Sequence, residues 1–92
     1  MKYSLILTSK FKKSLKIAQK RGLNIAKLDN VVEKLLNDEP LEPKYRDHPL
    51  VGNFVNFREC YIQPDWLLIY LKENNTLTLT LVDTGSHSDL LK

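Results

Sequence analysis

The chain is poor in cysteine and in long hydrophobic runs, and each shortage excludes something. With one cysteine, Cys60, in 92 residues, no internal disulfide framework exists, and a reducing cytoplasm is the expected compartment. No apolar run approaches the roughly 20 residues that span a bilayer, so neither a transmembrane helix nor a membrane partner is expected. The N-terminal "MKYSLILTSKF" alternates and runs into lysines, without the h-region or small-residue cleavage site of a signal peptide. Cys60, His48 and His87 lie far apart in sequence, which gives no metal-ligand spacing, and no cofactor is expected. Repeats and low-complexity tracts are absent too. The length suits one domain, residues 1–92, with a real core.

What is present is an ordinary globular composition, 42% hydrophobic and 27% charged, with a net charge of +3. The positive charge is unevenly placed. Lys10, Lys12, Lys13, Lys16, Lys20 and Arg21 load the first quarter, and Lys44 and Arg46 precede His48. Such a skew favours a polyanion or an acidic protein as partner, although lysines on a helix are more often a solvated face.

Residues 2–7 read as a β-strand. "TSKFKKSLKIAQKRG" reads as a helix capped by Thr8 or Ser9, with Phe11, Leu15 and Ala18 on one face and Gly22 at its end. A second helix starts at Asn24, carries Ile25, Leu28, Val32, Leu35 and Leu36 as its stripe, and ends before Pro40. The short link between them predicts an antiparallel helical hairpin. "DEPLEPKYRDHPLVGN" is rich in proline and reads as a surface loop.

From Phe54 the pattern turns to β: "FVNFRECYI", "DWLLIYLKE" and "TLTLTLVDT". Pro64 and Asp65 suit a tight turn between the first two, and Asn74-Asn75 suit the positive φ of a hairpin between the last two. "DWLLIYL" is apolar almost throughout, as a central strand covered on both faces would be. Ser86 and Asp89 have capping-box spacing, so a short helix should begin at His87. The expected fold is α+β: a strand, a helical hairpin packed on one face of an antiparallel sheet, and a short C-terminal helix.

Titratable side chains collect at Asp47-His48, Glu59, Tyr61, Asp65 and His87. Alternation places Glu59 and Tyr61 on one strand face and Arg58, Cys60 and Ile62 on the other. If helices cover the Cys60 side, Glu59 and Tyr61 point outward. One such group is usually a solvated strand residue, but five near loops and strand ends suggest a site. At His87, Gly85 permits an unusual backbone, and the helix start offers N–H groups to an anion. An idle exposed histidine is an equally good reading there, and for His48 the better one.

The phrases "DHPLVGN", "FREC", "PDWLLIY" and "TGSHSDLL", in that order, resemble the YafQ-type branch of the RelE superfamily of bacterial toxins. The resemblance covers nearly the whole chain and implies a microbial-ribonuclease-like fold. It also implies a ribosome-dependent mRNA endonuclease, restrained by an antitoxin of the DinJ or RelB type with a ribbon-helix-helix segment. Carried over by position, it implies His48, Glu59, Asp65 and His87 as catalytic residues; Tyr61, in the place of a family histidine, is expected to join them, and Lys44, Arg46, Trp66 and Leu91 are expected to bind RNA.

The implied chemistry needs no metal. A base takes the proton of a ribose 2′-OH, the oxygen attacks the adjacent phosphorus, and an acid protonates the departing 5′-oxygen. His87 is expected as the acid or phosphate contact, with His48 and Asp65 on the accepting side. Three positions depart from the family pattern: Tyr61 replaces a histidine, Asp83 an arginine, and Leu91 a phenylalanine. A phenol ordinarily titrates near pH 10 and is a poor base at pH 7, and a carboxylate repels phosphate. The alternative is therefore a weakened member that mainly binds antitoxin and RNA. A generic nucleic-acid-binding domain fits less well, because no aromatic platform is evident.

Overall fold

The computed structural model describes residues 2–50 and 56–90. The elements run β1 (Ser4–Leu7), α1 (Ser9–Lys20), α2 (Ile25–Leu36), a 3-10 turn (Pro43–Tyr45), β2 (His48–Pro49), β3 (Phe57–Gln63), β4 (Trp66–Glu73), β5 (Thr78–Gly85) and α3 (His87–Leu90). The Phe54 start expected for the third strand falls outside the described residues.

Both helix starts follow from their caps. Thr8 accepts the Phe11 N–H at 3.0 Å, and Asn24 accepts the Ala26 N–H at 3.1 Å. Gly22, at φ +79°, provides the left-handed turn after α1 that a side chain resists. The expected stripes are the buried ones, joined by Val31, which is 1% exposed. Leu15 and Ile25 pack against the same core from its margin.

The sheet has the order β1-β5-β4-β3-β2. Its three long strands form the expected antiparallel meander. β1 instead lies parallel to β5, pairing Ser4 with Thr78 and Leu7 with Leu81, so the sheet is mixed. A parallel pair needs a long crossover, and here the helices and three strands between them supply it. The β4–β5 connection differs from the two-residue hairpin. It is a turn over residues 74–77 in which Leu77, not an asparagine, has the positive φ, +50°. Asn74 meanwhile accepts the Tyr3 hydroxyl hydrogen.

α1 packs on β5 and α2 on β3. Under them, one face of the sheet contributes Cys60, Ile62, Trp66, Leu68, Tyr70, Leu79 and Leu81 to the core. Leu67 and Ile69, the alternate residues of β4, are also buried, so the central strand is covered on both sides as its composition predicts. In the β3–β4 register Glu59 stands beside Ile69 and Tyr61 beside Leu67. The second face is therefore a small apolar floor bordered by titratable side chains.

Candidate active site

Three elements converge on that second face. The β3–β4 hairpin turns tightly at Pro64-Asp65 and presents Asp65 at its tip, with the side chain 73% exposed. The segment after β5 brings His87 against it. Asp65 Oδ1 accepts both the backbone N–H and the Nδ1–H of His87, each at 3.2 Å. His87 Nε2 lies 2.9 Å from the Tyr61 hydroxyl, with ring centroids 5.5 Å apart. Asp65, His87 and Tyr61 thus form one continuous hydrogen-bonded chain. The His87 contacts hold the Asp65 carboxyl below the ordinary carboxylate range, which favours an orienting role over proton acceptance.

The reciprocal box that starts α3 forms as expected: Ser86 N–H donates to Asp89 at 3.0 Å, and Asp89 N–H to Ser86 Oγ at 3.2 Å. Arg21 at the end of α1 clamps the same Asp89 carboxylate at 2.8 Å. This contact, first among several, holds the Asp89 carboxyl well below its ordinary range. Gly85 is needed for space, not for an unusual φ, because a Cβ there would lie 2.9 Å from Asp89 Cβ. The anion expected at the helix start is the protein's own Asp65, bound to the His87 N–H.

His48 is not a loop residue. It pairs with Glu59 in the short β2–β3 ladder. Its Nε2 lies 3.3 Å from Glu59 Oε1, and its Nδ1 faces the Arg46 carbonyl oxygen. A carbonyl only accepts, so Nδ1 carries a hydrogen, and Nε2 is the ring nitrogen that faces the carboxylate. Glu59 is on the predicted face but buried, 4% exposed, and its Oε2 lacks a hydrogen-bond partner among the described residues. The outward-pointing carboxylate expected from alternation is instead enclosed under its neighbours.

Asp47, given no role from sequence, fixes this arrangement. It accepts hydrogen bonds from the Tyr70 hydroxyl and from Arg58 Nε and Nη2. Burial first, and Asp47 second, push the Tyr70 phenol far above its ordinary range. With Asp47 tied to these partners, the next residue, His48, is held beside Glu59. Only the meeting of positions 47, 58 and 70 reveals this anchor, and no local pattern marks it.

Arg46 adopts a left-handed backbone, φ +47°, and its guanidinium lies 5.7 Å from the Tyr61 ring centroid. Lys44 and Arg46 border a groove of about 560 Å³ that reaches Tyr61 and also takes in Lys27 and Asn30. Two other expected groups belong elsewhere. Trp66 is 1% exposed, and its indole N–H donates to Thr84 Oγ1 at 2.9 Å, so it is a core residue and presents no stacking face to RNA. Asp83 is 6% exposed and bonds Ser14 Oγ at 2.6 Å and the Thr84 N–H at 2.8 Å, with Lys10 at 3.6 Å. Its carboxylate faces α1. Burial pushes the Cys60 thiol up to about 12, as suits an inert core residue. Leu91 lies outside the described residues.

No described helix is long and apolar enough to cross a membrane. A sequence model of the family described as bacterial toxin of type II toxin-antitoxin system, YafQ, matches residues 3–92. The mRNA interferase toxin YafQ of Escherichia coli strain K12 is 36% identical over 84 residues, spanning 90% of this chain and 89% of that protein. The crystal structure of a metal-bound toxin from Helicobacter pylori is similar at TM-score 0.90 and 45% identity, over 96% of this chain and 98% of that one. The Escherichia coli DinJ-YafQ toxin-antitoxin complex contains a chain similar at TM-score 0.91 and 32% identity, with both chains fully covered. The matches run through the helices, the sheet and the His87 segment alike, and the chain belongs to the YafQ family of toxins of bacterial type II toxin–antitoxin systems.

Proposed function

We propose that this chain is a ribosome-dependent mRNA endoribonuclease, acting in the cytoplasm and held inactive by a DinJ- or RelB-like antitoxin. The observation that carries the reading is the pairing of two proton-handling units on one sheet face. One is the Asp65–His87–Tyr61 chain, and the other is His48 with Glu59. Glu59 and Tyr61 are two residues apart on one face of β3, so the units stand side by side.

Cleavage beside a ribose 2′-OH needs one group to take the hydroxyl proton and another to protonate the departing 5′-oxygen. Each such group typically contributes about 10²–10⁴-fold. Histidine suits both tasks because imidazole ordinarily titrates near neutrality. The Arg46 guanidinium and the groove it shares with Lys44 supply positive charge for the RNA backbone and for the charge that develops at phosphorus. A weakened, binding-only protein is less well supported. Asp83 is buried against α1, where it bonds Ser14 and faces Lys10, and Tyr61 has an imidazole partner.

Induction of this chain alone in a bacterial host arrests growth and translation, and co-expression of the antitoxin restores both. Purified protein added to programmed ribosomes cuts the bound mRNA and leaves the same RNA intact off the ribosome. Normal growth at high expression of folded protein, with uncut mRNA on ribosomes, would refute the reading.

A further inference from the structure

We infer that Tyr61 is the group that accepts the ribose 2′-OH proton, by passing its own proton to a His87 ring that Asp65 orients. The inference rests on the endoribonuclease reading above. A free phenol at pH 7 is too weak an acceptor for the task, so the question is whether its neighbours change what it can do. The hydrogen-bond polarity answers it.

Asp65 Oδ1 is an acceptor only, and it faces His87 Nδ1 at 3.2 Å, so the imidazole hydrogen sits on Nδ1. In the neutral ring the other nitrogen then accepts. Nε2 is 2.9 Å from the Tyr61 hydroxyl, which is the donor of that bond. The backbone N–H of His87, bonded to the same Asp65 oxygen, fixes the ring's position relative to the hairpin tip. A hydroxyl, an imidazole and an orienting carboxylate in series have the logic of a nucleophile–base–orienter triad. Here the hydroxyl is phenolic, and its task is proton transfer.

The Tyr61 O–H proton moves to His87 Nε2 as Tyr61 oxygen takes the 2′-OH proton. The O2′–P bond forms, the P–O5′ bond breaks, and O5′ takes a proton from the protonated form of His48, which Glu59 faces at 3.3 Å. The products are a 2′,3′-cyclic phosphate and a 5′-hydroxyl. Charge separation is favoured at both ends: Asp65 faces the imidazolium that forms, and the Arg46 guanidinium lies 5.7 Å from the Tyr61 ring. The other charged or titratable groups nearby are Lys44 and Lys27 on the groove that reaches Tyr61, Glu59 two residues along β3 with His48 beside it, and the Arg21–Asp89 pair behind Ser86.

Single-turnover cleavage of one mRNA on purified ribosomes, from pH 5.5 to 9, tests this. Tyr61→Phe and His87→Ala each slow cleavage by at least about 10²-fold, while both fold as the parent does by thermal unfolding. The double variant is no slower than the worse single one, because the pair acts as a unit. Tyr61→His, which returns an accepting nitrogen to that place, recovers at least about tenfold over Tyr61→Phe. Asp65→Asn removes the anion that favours imidazolium, so the acid limb of the pH–rate profile moves to lower pH. A Tyr61→Phe variant that cuts like the parent, losses that multiply in the double variant, or an unmoved acid limb would overturn the relay while leaving the nuclease reading standing. A folded parent that cuts at no pH overturns both.

Discussion

The two faces of the same sheet have been put to opposite uses. On the helical face, alternate residues of β3 and β4 (Cys60, Ile62, Trp66, Leu68 and Tyr70) are sealed into one apolar cluster. The hydrogen bonds there, such as Trp66 to Thr84 and Tyr70 to Asp47, finish the packing of groups that would otherwise be buried unpaired. On the other face, the intervening residues meet two half-exposed histidines: the enclosed Glu59 faces His48, and Tyr61 bonds His87. One-residue alternation thus separates what holds the protein together from what is proposed to act. Substitutions on the first face should be read in stability and those on the second in rate.

The strongest attempt to break this division is Trp66→Ala. Truncating a fully buried tryptophan costs about 3–5 kcal/mol, so the urea midpoint should fall sharply. If stability barely changes while RNA binding collapses, Trp66 belongs with the site after all. On the opposite face, Glu59→Gln keeps the shape but removes the carboxylate that faces His48 Nε2 at 3.3 Å. A loss of about 10²-fold in cleavage is expected, with the circular dichroism spectrum unchanged. A rate equal to the parent's would make Glu59 a packing residue and blur the comparison.

Acid titration sharpens it further. The Asp38, Asp65 and Asp89 carboxyls all sit below their ordinary range, through Lys72 and Lys2, His87, and Arg21 respectively. A depressed folded-state pKa contributes stability above the unfolded value, near 3.9, which is lost as pH falls through the folded one. These carboxylates therefore leave stability flat between pH 7 and 5 and withdraw it below about pH 4. Asp38→Asn should blunt the acid drop without touching activity, whereas Asp89→Asn should also loosen the His87 segment. Amide exchange at Ser86 and His87 across that range reads the difference. The smallest effect is at Leu77, whose left-handed φ of +50° suits asparagine better than a branched apolar side chain. Leu77→Asn should raise stability by up to about 1 kcal/mol, read as a higher melting temperature at unchanged activity.

Where the sequence pattern was local, it was legible. The caps at Thr8, Asn24 and Ser86, the Pro64-Asp65 turn and the sealed central strand all rest on contacts within a few residues or on simple periodicity. The misreadings involve distant neighbours. Glu59 looked outward because alternation gives a face and says nothing of what encloses it. Trp66 looked available because a strand-end indole is wet or dry according to what packs on it, and Asp83 looked repulsive until α1 placed Ser14 and Lys10 against it.

The sequence by itself determined the order of the helices and long strands, the helical stripes and caps, and which side of β3 each titratable residue would take, since these follow from backbone periods and local hydrogen bonding. Only the tertiary structure decided the parallel β1–β5 pairing and the Asp47 anchor beneath His48. It alone also decided that Asp65, His87 and Tyr61 would join in one chain. Each of these depends on groups brought within about 3 Å from positions 11 to 74 residues apart, and such proximity is a property of the packed fold alone.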